Sequence, residues 1–158
     1  MEEIFYYKSK FGLLKGCVKG DKLVYLKNTD TKENSNKTNK SKFAIKIEKE
    51  LDEYFNGKRT KFTIPINTIG TEFQKQVWNK LTEIPYGTTI SYKELATSVK
   101  GKNYSRAVGM ANNRNPIPII IPCHRVVGTK GELVGYRGGV DIKEKLINLE
   151  KQLINKRR

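Results

Sequence analysis

The spacing of apolar residues changes once along this chain, at "NTIG" (Asn67–Gly70), so its two halves must be built differently. Before that point "EEIFYYKSKFGLLKGCVKGDKLVYLKN" alternates apolar and polar residues, the period of strands with one buried face. Breaks at Phe11-Gly12 and Lys19–Lys22 divide it into a meander of two or three antiparallel strands. Asn28–Lys42 holds no apolar residue and reads as a solvated loop. "FAIKIEKELDEYFNGKR" then places Ile47, Leu51, Tyr54 and Phe55 at helical spacing, stopped by Asn56-Gly57, and "KFTIPI" reads as a further short strand.

Beyond the joint the period is helical. "TEFQKQVWNKLTEIPYG" predicts a helix with Thr71 as N-cap, an apolar face of Phe73, Val77 and Leu81, and an end at Pro85–Gly87. "SYKELATSV" predicts a short helix capped by Ser91 with Glu94 at the capping-box position. "KGKN" is a turn, and "YSRAVGMANNRN" a second short helix closed by Pro116. Two short helices around a tight turn make a helix-turn-helix, an element that enters DNA grooves, although many packed helix pairs look the same. "IPIIIPCHRVV" reads as β-rich, "GTKGELVGYRGG" as a glycine-rich loop, and "VDIKEKLINLEKQLINKRR" as a last helix with Ile142, Leu146, Leu149 and Leu153 in one stripe. The expected class is α+β: a small antiparallel sheet with a helix over residues 1–69, then a helical, helix-turn-helix-type domain over 70–158.

Lys and Arg number 31 against 16 Asp and Glu, a net charge of +15. Such an excess points to a polyanion, nucleic acid or an acidic membrane surface, unless it is the imprint of a lysine-rich proteome. No stretch approaches the roughly 20 apolar residues that span a bilayer, and "MEEIFYYKSK" lacks a signal-peptide core. A soluble, cytoplasmic protein is expected, with Cys17 and Cys123 as free thiols and Cys17 as a small buried filler. Two distant cysteines and a single histidine exclude a structural zinc site, so no metal is expected.

That single histidine, His124, directly follows Cys123 in "IPCHRVV". A thiolate, not a thiol, is the nucleophile, and a free cysteine near pKa 8.5 is only a few per cent ionised at pH 7. Lowering the pKa by about two units would make most of it reactive, and an imidazole relayed by a carboxylate is a suitable base. In an extended segment neighbouring side chains face opposite ways, so His124 is not expected to touch Cys123 directly. A hydrolase needs its cysteine and histidine face to face, which an adjacent pair does not offer.

From Phe73 to Glu150, through "QVWNKLTEIPYGTTISYKELA", "SRAVGMANNRNPIPIIIPCHRVVG" and "GYRGGVDIKEKLINLE", the chain resembles the methylated-DNA–protein-cysteine methyltransferases, or O6-alkylguanine-DNA alkyltransferases. The first 66 residues are similar in layout only, a sheet with a helix. The resemblance implies a ribonuclease-H-like first half and a winged-helix type of second half. It implies a suicide repair enzyme that extrudes O6-alkylguanine from duplex DNA and keeps the alkyl group on Cys123, with O4-alkylthymine as a further substrate. It needs no cofactor or metal and acts as a monomer.

By the same resemblance, a water joins Cys123 to His124, and Glu150 on the last helix holds the other ring nitrogen. Tyr92 bonds and protonates the guanine ring, and Asn115 braces the turn below the nucleophile. Arg106 fills the space that the extruded base leaves, while Ala107, with Gly109, keeps the helix narrow for the minor groove. The Val126 carbonyl takes the guanine amino group, Tyr136 stacks near the base, and the Arg137 N–H faces O6. Gly135-Tyr136-Arg137 stands where some relatives have Asn-Tyr-Ser, placing a long cation at the pocket mouth. The residues alone leave plainer roles open: a core histidine at 124, a solvent-facing Glu150, a packing Tyr92 and a phosphate-binding Arg106. A lesion-binding module without catalysis is the alternative function, although relatives of that type lack the cysteine.

Overall fold

The computed structural model describes residues 2–30, 40–136 and 138–156. They form two compact units, Met1–Thr68 and Ile69–Arg158. The first unit opens with the expected meander: β1 (Glu2–Ser9), β2 (Gly12–Lys19) and β3 (Lys22–Asn28), antiparallel in the order β1-β2-β3. Phe5 pairs with Gly16 and Gly16 with Leu26. A Cβ on Gly16 would lie 2.3 Å from the Phe5 ring, so the strand needs glycine where that ring crosses it. Cys17 is buried within β2, as a filler should be.

α1 (Lys42–Phe55) starts at Ser41, whose Oγ accepts from the Ala44 N–H, and it buries Ile47, Leu51, Tyr54 and Phe55 as the spacing predicts. The segment "KFTIPI" differs from expectation. It joins the sheet only at Leu23, which donates to the Pro65 carbonyl and accepts from the Asn67 N–H, both at 2.9 Å. Pro65 has no N–H to extend a ladder, so the contact stays a single bridge. Of the expected loop Asn28–Lys42, residues 31–39 lie outside the described residues.

The second unit contains α2 (Glu72–Leu81), β4 (Ile90–Ser91), α3 (Tyr92–Val99), α4 (Ser105–Asn113), β5 (Val126–Val127) and α5 (Val140–Lys156). Thr71 and Ser91 both close complete capping boxes, with Gln74 and Glu94. α3 and α4, joined by a 3₁₀ turn at Lys102–Tyr104, form the helix-turn-helix, and Trp78 of α2 donates to the Ala111 carbonyl of α4 at 2.9 Å. β4 pairs with β5 in parallel, fixing the start of α3 beside the "CHRVV" segment. Ser91→Ala removes the acceptor for the Glu94 N–H, so about 1 kcal/mol of stability should be lost, measurable as a lower denaturant midpoint.

Two expectations here need correction. "IPIIIPCHRVV" is not a strand run: it is a clamped turn over Ile117–Ile121, a 3₁₀ turn at Cys123–Arg125, and only then β5. Pro118 and Pro122 cannot donate to a ladder, and the Asn115 amide takes over, giving its N–H to the Ile121 carbonyl at 2.7 Å and accepting from the Ile117 N–H at 2.9 Å. Ile119 inside that turn has φ +75°, a strained value for a β-branched residue that the clamp must hold. On α5 the buried stripe is Lys143, Leu146, Ile147, Leu149 and Glu150, with Ile142 and Leu153 only half-buried. The stripe is therefore rotated toward two charged residues. Among the described residues no helix is long and apolar enough to cross a membrane.

Candidate active site

The 3₁₀ turn at Cys123–Arg125 places three functional side chains in sequence, and all three are buried. His124 Nε2 lies 2.6 Å from Glu150 Oε2. Arg125 forks onto the same carboxylate, Nε to Oε1 at 2.9 Å and an NH2 proton to Oε2 at 3.0 Å. Its third arm donates to the Ile84 carbonyl at 2.7 Å, and its guanidinium lies 5.6 Å from the centre of the Tyr86 ring. The Gly87 N–H donates to Glu150 Oε1 at 3.1 Å. Gly87 has φ +80°, and a Cβ there would meet Ile154 at 2.9 Å, so the turn after α2 needs glycine to present that N–H. Sequence positions 84–87, 124–125 and 150 thus converge on one carboxylate.

The electrostatics follow from this geometry. Burial alone would push the Glu150 carboxyl up, but the hydrogen bonds and charges of His124 and Arg125 outweigh it and hold the group well below the usual carboxylate range. Glu150 is therefore an anion, and Nε2 must carry the proton that it accepts. The tautomer assigned by this bond leaves Nδ1 as the basic nitrogen. Nδ1 is buried, with no hydrogen-bond partner among the described residues. Burial also lowers the pKa of His124, against the pull of Glu150 and with the repulsion of Arg125 and Lys143. Burial thus favours the neutral form of the ring.

Burial pushes Cys123 up to about 11, even though the Asn115 amide and the Lys143 charge favour the thiolate. Burial thus favours the protonated thiol, the form that a neighbouring base would have to ionise for the sulfur to attack. His124 was not expected to touch Cys123 directly, and no hydrogen bond joins the two side chains in the described structure.

Tyr92, first residue of α3, is half-buried, and its hydroxyl donates to the Val134 carbonyl at 2.9 Å. Burial, then the nearby Cys123, raises its pKa, while the Asn112 side chain opposes the shift. Lys143 Nζ donates to the same Val134 carbonyl at 2.9 Å and lies 3.4 Å from the Tyr92 hydroxyl. Burial brings that lysine down to about 8, against the pull of Cys123. Tyr136 is half-buried with its pKa raised well above normal, by burial and then by Cys123. Val126 is fully buried in β5, and Asn115 sits beneath the nucleophile. Arg106 and Ala107 are exposed on α4. Gly109 instead faces the Tyr92 ring, where an added Cβ would make ordinary contact at 3.7 Å, so it does not belong to the outer face. Arg137 lies outside the described residues. No cluster of three or more His, Cys, Asp or Glu side chains that could hold a metal occurs among the described residues.

Comparison with known proteins decides the family. Residues 72–152, just over half of the chain, match the model for the 6-O-methylguanine DNA methyltransferase DNA binding domain, and residues 5–68 match the ribonuclease-like domain of the same enzymes. The methylated-DNA–protein-cysteine methyltransferase of Methanosarcina mazei is 47% identical over 140 residues, 87% of this chain and 89% of that one. This chain belongs to that family. The Methanosarcina barkeri methyltransferase is 54% identical over 109 residues, 69% of each chain. Among solved structures, Mycobacterium tuberculosis OGT in complex with DNA is 39% identical with a TM-score of 0.84, covering 94% of this chain and 92% of that one.

In this methyltransferase the cysteine, histidine and glutamate are all buried, a hydrogen bond joins His124 to Glu150, and the solvent-facing alternative for Glu150 is excluded. Sequence reasoning passed over three members of the assembly. Arg125 stands inside the quoted "PCHRVV" yet was given no role. Lys143 precedes Glu150 by seven residues, two helical turns, which puts both on one face of α5. Asn112, buried on α4 with Val108 and Ala111, reaches the Cys123 carbonyl at 3.4 Å. Its i, i+3, i+4 spacing was the available signal.

Proposed function

We propose that this methyltransferase takes the alkyl group from O6 of guanine in double-stranded DNA onto Cys123 in one irreversible turnover. The thiol proton passes through a bridging water to His124 Nδ1. The sulfur then attacks the alkyl carbon, a C–S bond forms, and the C–O6 bond breaks. Tyr92 supplies a proton to the guanine ring, so the base leaves neutral. The thioether resists hydrolysis, so each molecule reacts once. O4-alkylthymine presents the same alkyl–oxygen bond and is a second substrate of this reading. The observation that carries the proposal is His124: an imidazole next in sequence to Cys123, fixed by Glu150 through Nε2, with its other ring nitrogen buried and without a hydrogen-bond partner among the described residues.

Reaching a stacked base requires extruding it, at a cost of a few kcal/mol. The exposed Arg106 guanidinium is suited to fill the gap, and Ala107 beside it lets α4 approach a minor groove. Tyr136 and the Val126 carbonyl would line the base pocket, and the protein would act as a monomer. Intact mass spectrometry after incubation with O6-methylguanine duplex tests this. One added methyl on the wild type, mapped to Cys123 and missing from Cys123→Ser, is expected. Lesion binding with no gain in mass would make the protein a recognition module instead. Duplex binding should also weaken steeply with salt, about 0.9 of a unit in log K per log [salt] for each phosphate neutralised. A flat response in a titration from low to moderate salt would remove the proposed DNA surface.

A further inference from the structure

We infer that Arg125 is a positioning residue for alkyl transfer: its fork on Glu150 orients the carboxylate and balances its charge, so that His124 is held through Nε2 with Nδ1 left without a proton. The inference rests on the reading of Cys123 as acceptor. Its grounds are geometric. Arg125 touches neither Cys123 nor the imidazole through a hydrogen bond; its donors go to Glu150 and to the Ile84 carbonyl. A buried carboxylate that faced the imidazole without this cation would favour a second proton on the ring. An imidazolium carries hydrogen on both nitrogens and can accept nothing from a thiol. With Arg125 forked onto it, the carboxylate charge is already balanced, and the ring is left neutral.

The other charges around the pair are few. α5 contributes Glu150 and Lys143, and the 3₁₀ turn contributes Arg125 and Cys123. Tyr92 of α3 and Tyr136 of the glycine-rich loop lie near Cys123. The buried side chains of α2, which packs against this turn, are Val77, Trp78 and Leu81, all uncharged. The turn after α2 adds the Gly87 N–H, the Ile84 carbonyl and the Tyr86 ring, whose centre lies 5.6 Å from the guanidinium. Lys143 is a second buried cation among the described residues, and it donates to the Val134 carbonyl.

Two measurements test the inference. Single-turnover transfer from O6-methylguanine duplex is followed against pH for the wild type, Arg125→Lys, Arg125→Met, Glu150→Gln and the Arg125→Met/Glu150→Gln pair. In Arg125→Met the acid limb should move up by about one pH unit or more, slowing transfer on the acid side of the limb about tenfold per unit moved. Arg125→Lys, which keeps the charge, should hold the limb near the wild-type position, and Glu150→Gln should cancel the shift in the double variant. A rate lowered by one factor at every pH, or a lysine variant that behaves like methionine, would overturn the role. Nitrogen-15 NMR of the imidazole supplies the second readout. The chain has one histidine, so the signal is unambiguous. The Nε2–H tautomer should persist in the wild type from about pH 5.5 to 8. A doubly protonated ring near neutrality sinks the inference even if Arg125→Met does not fold. The expected tautomer together with no methyl transfer would sink the Cys123 reading and leave the Arg125 geometry standing.

Discussion

His124→Phe should bind alkylated duplex as the wild type does, yet transfer the alkyl group about 10²–10⁴-fold more slowly at pH 7. The ceiling comes from the thiol. With Cys123 pushed up to about 11, the spontaneous thiolate fraction at pH 7 is about 10⁻⁴. Without a base the sulfur must react through that fraction, and its rate should climb about tenfold per pH unit across the neutral range. The wild type should be nearly flat there, because burial has lowered the His124 pKa and the ring is already neutral. The two pH profiles therefore converge in alkali. Rapid-quench transfer measured from neutral to alkaline pH reads this directly, and parallel profiles would mean that His124 is not the base.

What was legible in the sequence was local. The β1–β3 meander and both capping boxes follow from residue types within a few positions of one another, and the structure has them where the pattern places them. The Cys123–His124 adjacency was legible too. What was not legible depends on distant partners. Charged residues read from sequence default to solvent, so Lys143 and Arg125 seemed unremarkable until Val134, Ile84 and Glu150 were brought around them. The 3₁₀ turn was hidden for a similar reason. Val, Ile and Pro around Cys123 suggest a strand, and only the Asn115 clamp shows where the backbone hydrogen bonds go. How far the thiol is buried, which raises its pKa, was not legible in composition.

Glu150→Leu is the substitution that should damage both stability and chemistry. The leucine matches the stripe of α5 in size and polarity, so the effect isolates the carboxylate. Arg125, 6% exposed, would lose both arms of its fork, and His124 Nε2–H would lose its acceptor. Removing one partner of a buried ion pair leaves an uncompensated charge and costs about 3–5 kcal/mol, more than the added apolar contact returns. Glu150→Gln keeps an acceptor oxygen and should be milder. The acid side distinguishes the charge from the packing. The folded Glu150 carboxyl titrates well below its ordinary 4.5, so its contribution is complete above that value and is lost as pH falls through the folded one. Wild-type stability in urea should therefore fall away in acid more steeply than that of Glu150→Leu, whose deficit is largest near neutrality. In the same variant His124 loses the bond that fixes its tautomer, and transfer should fall at least as far as in His124→Phe. A Glu150→Leu protein as stable as the wild type at pH 7, with an unchanged acid limb, would mean that the charge at residue 150 holds nothing together.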